Sequence, residues 1–273
     1  MSKPVTIIKP ASDAARLSFH EIWKFRELIS ILAMRDIKVR YKQTALGVIW
    51  SVIQPLFLML IFSLLFGRLA KIPSDGVPYP IFVFSGLLIW NFFSAGVSSC
   101  SNSLVGSATM ISKVYFPRMA IPLASVGVSL IDFSISVLVL LALMAFYAVM
   151  PTWQFLLIPL FACGAFISIL GIGLWLSAIT VTYRDFRYVV PFMLQLWMYI
   201  TPVIYPTSFI PAEFRWLTYL NPITGWVSGT RSAFLGTQID WIACGCSLAL
   251  SLIMLSVGLR YFSNAEQRFA DVI

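Results

Sequence analysis

LGVIWSVIQPLFLMLIFSLLFGRL, residues 46–69, contains no charged residue before Arg68. A helix needs about 20 mainly apolar residues to cross roughly 30 Å of hydrocarbon. This block is long enough, and it is followed by others at 80–99, 119–147, 155–181, 189–204 and 241–261. Six spans are expected, of which the fifth looks short. The fold class that follows is an all-α membrane protein, with six transmembrane helices per chain. Composition agrees: of 273 residues 59% are apolar and 11% charged, against about 25% charged in soluble domains.

The net charge of +8 would suggest nucleic acid in a soluble protein. Here the basic residues first have to be sorted by side of the membrane. Nine fall in the first 45 residues. Lys113 and Arg118 follow span two, Arg184 and Arg187 follow span four, and Arg260 and Arg268 lie at the end. Only Arg68, Lys71, Arg215 and Arg231 fall on the opposite side. The bias places both termini in the cytoplasm, with membrane lipid and not nucleic acid as the partner of these charges. The chain divides into a cytoplasmic N-terminal segment (1–45), a transmembrane domain (46–261) and a cytoplasmic tail (262–273).

Within the first segment, Ser18 and Glu21 match a capping box. Ile22, Phe25, Ile29 and Leu32 then form one apolar stripe along a helix. This helix is too charged to span and is expected to lie in the membrane interface. Residues 205–240 are a second unusual stretch, apolar yet on the outer side. The pieces 214–220 and 224–235 are too short to cross, and Pro206, Pro211 and Pro222 interrupt them. Asn221-Pro222 reads as an N-cap followed by proline at the first helical position. Two short re-entrant helices over a pathway fit this pattern, because irregular backbone at membrane depth is tolerated only within protein or beside a cavity.

Catalytic chemistry is sparse. His20 is the only histidine, and no stretch matches the phosphate-cradling G-x-x-x-x-G-K-[ST] loop. No catalytic residue, metal site or cofactor is expected in this chain. Cys100, Cys163, Cys244 and Cys246 lie within or beside apolar blocks and lack zinc or redox spacing. Asp132 is the one acid deep in a span. Beside Ser129, Ser134 and Ser136 it reads as a group that hydrogen-bonds a neighbouring helix more readily than as part of a transport relay. Gln54 precedes Pro55, which removes a backbone donor and kinks a helix. Among the many aromatic residues, Trp50, Trp90, Phe92, Phe93, Trp197 and Tyr199 are candidates to line a channel, since sugars stack their C–H faces on such rings.

Six motifs carry a family resemblance: RDIKVRYKQTALGVIW (35–50), GLLIWNFF (86–93), KVYFPR (113–118), YRDFRY (183–188), TPVIY (201–205) and LNP (220–222). In this order they resemble the permeases of polysaccharide and polyol-phosphate ABC exporters, the type-2 ABC export permease family of the O-antigen, capsule and teichoic-acid class. The resemblance implies a bacterial inner-membrane homodimer with two separate ATPase subunits, which hold the ATP and magnesium. It implies a coupling helix at about 102–111, in the loop 102–118, with Asn102, Leu104, Met110, Ile111 and Lys113 as contact candidates. It makes 205–240 a periplasmic gate, with Phe214, Trp216, Tyr219, Asn221 and Pro222 as candidates that bury against the spans or the second copy. The cargo it implies is a glycan on a lipid carrier, and Arg35, Lys38, Arg40 and Lys42 are candidates to meet its headgroup or the lipid surface. The alternatives are a stand-alone channel or secondary carrier, or an exporter of another lipid-linked polymer such as teichoic acid. A carrier is expected to show internal repeats or more intramembrane charge. A membrane enzyme would need a cluster of catalytic carboxylates or histidines.

Overall fold

The computed structural model describes residues 23–42, 47–114, 116–266 and 269. Ser18, His20, Glu21 and Ile22 lie outside them. Every regular element among the described residues is helical. In chain order these are α1 (Arg26–Lys42), α2 (Gly47–Phe62, continued as a π-helix over Ser63–Leu69), α3 (Tyr79–Gly106), the one-turn α4 (Ala108–Ile111) and α5 (Ala120–Phe146). Then come α6 (Ile158–Thr182, led in by a 3₁₀ turn Trp153–Leu157), α7 (Phe186–Ile200), α8 (Arg215–Tyr219), α9 (Thr224–Leu235) and α10 (Trp241–Glu266).

α3 is the pillar of the molecule. Its segment IFVFSGLLIW, Ile81 to Trp90, is buried on every face, as an all-round apolar helix must be. α5 packs along one side of it and α6 along the other, with α10 outside α6. The α6–α10 contact brings backbone against backbone: a Cβ on Gly258 would overlap the carbonyl of Gly171. Beside that crossing, Ser168 and Ser251 share a buried hydrogen bond of 2.6 Å. Small residues and interhelical hydrogen bonds are the usual means of joining helices where lipid removes the hydrophobic drive.

Among the described residues five helices are long and apolar enough to cross a membrane. The fifth expected span, 189–204, is α7, which has 15 residues and so extends only about 22 Å. Its helix stops at Ile200 because Thr201 precedes Pro202 and is extended; the turn that follows is held by Tyr79, which donates to the Ile204 carbonyl at 2.7 Å, and by Arg231, which donates to that of Val203 at 2.6 Å. The second span is longer than its apolar block. α3 continues to Gly106 through a serine-rich stretch, where Ser103 bonds back to the Cys100 carbonyl at 2.7 Å and Asn102 to that of Ser98 at 3.0 Å. Hydroxyls that satisfy themselves on the preceding turn let a polar-looking sequence stay helical and buried.

α1 forms the expected stripe. Leu32 is buried, with Phe25, Leu28 and Ile29 packed beside it, in a core shared with Phe116, Met119, Ala120 and Phe262. The helix runs along the first half of α5, from Ala33 opposite Gly127 to Tyr41 opposite Asp132. At that same end of the bundle the Arg118 backbone N–H donates to Glu266 at 3.0 Å, joining the start of α5 to the end of α10.

Candidate functional site

Four long helices and α1 frame a cleft of about 360 Å³. α3 presents Asn91, Ser94 and Ser98, spaced three and four apart and therefore on one helix face. α2 presents Ser51, Gln54 and Pro55, α5 presents Asp132 and Ser136, and α7 presents Gln195. Trp90, Phe92 and Phe133 border it as buried rings, 3%, 2% and 7% exposed, with Phe92 and Phe133 centroids 5.2 Å apart. The carboxamides of Gln54, Asn91 and Gln195 have no hydrogen-bond partner among the described residues. Gln54 and Gln195 are exposed in the single chain and Asn91 is half-buried, so their amides are open to whatever enters the cleft.

One end of the cleft is charged. Arg40, in the last turn of α1, pairs with Asp132 at 2.8 Å, and the Tyr41 hydroxyl donates to the other carboxylate oxygen at 2.5 Å. Burial first, then the bond to Asp132 and its charge, holds the Tyr41 phenol well above its usual range, so it stays protonated and donating. Asp132 therefore does join a neighbouring helix. Its partner, 92 residues earlier, was not readable from spacing. A lone acid facing a span and a surplus of basic residues on the helix before it were the available signals.

The aromatic channel candidates separate. Trp90 and Phe92 line the cleft. Phe93 is wholly buried, edge-on to Trp197 at 5.4 Å, and offers no surface to a passing substrate in this conformation. Trp197 is tied inward by its indole N–H to Asn221 at 3.1 Å. Trp50 and Tyr199 lie exposed on the outside of the chain. Of the basic candidates, Arg35 pairs with its neighbour Asp36, while Lys38 and Lys42 are exposed.

The two halves of 205–240 differ. Phe214 and Trp216, expected to bury, are 54% and 58% exposed in the single chain. Tyr219 is half-buried and donates to Asp240 at 3.1 Å; burial and then that carboxylate raise its pKa. Asp240 also caps α10, accepting from Ala243 N–H at 3.0 Å. The second half, α9, is core: all but Ser228 and Leu235 of its residues are buried. Asn221 is not the N-cap it was expected to be: the helix starts two residues later, with Ile223 at the cap position. The Asn221 side chain accepts from Ile223 N–H at 3.2 Å and donates to Thr201 at 2.9 Å, and the helix begins only at Thr224. Gly236 ends α9 at φ +70°, a left-handed position that suits glycine.

Arg231, counted on the outer side of the membrane, is buried within the protein. Its guanidinium sits 3.9 Å over the Phe82 ring, in space left by the missing side chain of Gly86.

The coupling candidates also separate. Leu104 has no exposed surface and Ile111 almost none; both belong to the chain's own core. Asn102 lies in the last turns of α3 and is half-buried. Met110 is half-buried, and Lys113 is exposed beside Thr109, Ser112 and Val114. Leu104 therefore cannot test docking, because changing it tests folding.

Residues 27–235, from α1 to the end of α9, match the model of the ABC-2 type transporter. The chain belongs to that family. The O-antigen export system permease protein RfbA of Myxococcus xanthus is 30% identical over 257 residues, covering 93% of this chain and 98% of that protein. RfbA of Klebsiella pneumoniae is 28% identical over 248 residues, covering 90% and 95%. The polysialic acid transport protein KpsM of Escherichia coli is 24% identical over 254 residues, covering 88% and 93%. Family and helices together make this a multi-pass membrane protein of a transporter class.

Proposed function

We propose that the chain is the transmembrane subunit of an ATP-driven exporter that moves a lipid-linked, O-antigen-like polysaccharide from the cytoplasm across a bacterial inner membrane. The cleft carries this reading. Its open amides and aromatic rings, with a single carboxylate already paired, suit a neutral, hydroxyl-rich polymer better than an ion. The RfbA relatives are named for O-antigen export, and KpsM for another polysaccharide, polysialic acid, which supports the polysaccharide class. In this reading α7 and the turn after it complete a sixth crossing, both termini are cytoplasmic, and two copies enclose the pathway. Residues 205–240 close its outer mouth, chiefly through α9.

Hydrolysis belongs to two copies of a separate ATPase that hold ATP and magnesium. They dock at the 102–118 loop through Met110 and Lys113, with Val114 beside them. Met110→Asp with Val114→Asp is expected to lower polysaccharide-stimulated hydrolysis by the reconstituted pair about fivefold, the size of a lost contact residue. Val114→Asp alone should leave the melting temperature of the membrane chain at the wild-type value, since its side chain is 57% exposed, whereas Met110 is half-buried against the core. Full stimulation with the double variant would remove this loop from the docking surface.

A further inference from the structure

The only carboxylate lining the cleft is occupied by the chain's own donors. One Asp132 oxygen faces a guanidinium and the other a phenol, so two oxygens of one anion are each met by one donor. A phosphate offers the same pair of oxygens, and a planar guanidinium takes phosphate at least as well as carboxylate. The two partners differ in exposure. The Arg40 side chain is 47% exposed and that of Asp132 18%. The cation is therefore reachable from outside the chain while the carboxylate sits in the cleft wall. Lys38 and Lys42, exposed on the same helix, add positive potential at this end of the cleft.

Resting on the export reading, we propose that Asp132 is a resident substitute for the phosphate of a membrane amphiphile. An incoming phosphate or diphosphate ester displaces it from Arg40 and Tyr41, and the polar part of the ligand lies along Gln54, Asn91 and Gln195. Displacement leaves the arginine paired with an anion but strands the Asp132 carboxylate, 18% exposed, in the cleft wall, and this cost is what makes Asp132 a competitor for the site. The competing description, in which Asp132 only staples α1 to α5, makes the opposite forecast for a neutral residue at that position. A staple's loss weakens binding or leaves it unchanged, whereas a competitor's loss tightens it.

The test uses the purified chain in phosphatidylcholine nanodiscs, titrated with dodecyl phosphate and read by tryptophan fluorescence. Asp132→Asn is expected to bind about tenfold tighter than wild type and Arg40→Gln about tenfold weaker, one charge-assisted interaction each way. Tyr41→Phe is expected to bind about threefold weaker, and the double variant Arg40→Gln/Asp132→Asn to gain nothing over Arg40→Gln. Dodecanol should bind all variants alike. Competition by phosphatidylglycerol placed in the disc assigns the site to a lipid headgroup, and competition by inorganic pyrophosphate alone assigns it to a free phosphate. Asp132→Asn binding at or below wild-type affinity, with an unchanged melt, would overturn the proposal. Should that variant not fold, unaltered affinity of Arg40→Gln, whose side chain is half exposed, overturns it instead. A chain that exports polysaccharide yet binds no dodecyl phosphate would sink this inference alone, and the converse result would sink the export reading alone.

Discussion

Gly225→Ala is expected to destabilise the protein by about 3 kcal/mol, at the upper end for an added methyl in a packed core. A Cβ at Gly225 would overlap the Ala243 carbonyl and the Cys244 Cα, so backbone meets backbone and no flexible side chain can give way. The two helices would have to part. That would stretch the Gly225 N–H bond to Ser247, now 2.9 Å, and the buried bond of the Trp226 indole to Ser168, now 3.1 Å. Gly245→Ala on α10 is the matched control. Nothing lies within 4 Å of its added methyl, and alanine is the better helix former by about 0.5–1 kcal/mol. Thermal melts in one detergent should place Gly225→Ala well below wild type and Gly245→Ala at or slightly above it. Equal melts for Gly225→Ala and wild type would mean that α9 does not sit against α10 as described.

Asn221→Leu is the second large effect. The side chain is 7% exposed and fully engaged. Its oxygen accepts from the Trp197 indole and from Ile223 N–H, and its nitrogen donates to Thr201. Leucine fills the volume but orphans two N–H groups, each costing about 1–3 kcal/mol, so roughly 2–6 kcal/mol together. Thr201→Ala orphans only the Asn221 amide N–H and should cost about 1–3 kcal/mol. Because Asn221 ties the end of α7 to the start of α9, Asn221→Leu should also make reconstituted vesicles leak small solutes without ATP. Tight vesicles containing folded Asn221→Leu protein would separate this segment from the outer barrier.

That second result also marks where reading along the chain stops. The α9 piece, 224–235, was legible as an apolar segment too short to cross, although Asn221-Pro222 placed the helix start two residues too early. The long spans were legible from hydropathy, to within a few residues at most ends. The last turns of α3 were not, since Ser98, Ser101, Asn102 and Ser103 look like a loop until their hydrogen bonds are seen. α7 was overextended because 201–205 is as apolar as the helix before it, although Pro202 marks its end and only the contacts from Tyr79 and Arg231 that hold the following turn are remote in sequence. The same limit applies to the cleft. Ser51, Asn91, Ser94, Ser98, Ser136 and Gln195 are scattered polar residues in the sequence, and only the packing of four helices brings them to one place. Leu104 and Phe93 went the other way. Each fitted a family role by position, and each is buried in the chain's own core.

The exporter reading is tested most directly by transport itself. Inside-out vesicles would carry this chain with its cognate ATPase and a labelled lipid-linked polysaccharide in the outer leaflet, which corresponds to the cytoplasmic face. Protection of the label from a membrane-impermeant glycosidase would be followed over time. The expected result is protection that requires ATP and both subunits, and that disappears when the ATPase cannot hydrolyse. Protection driven by an ion gradient with this chain alone would contradict it and make the protein a carrier.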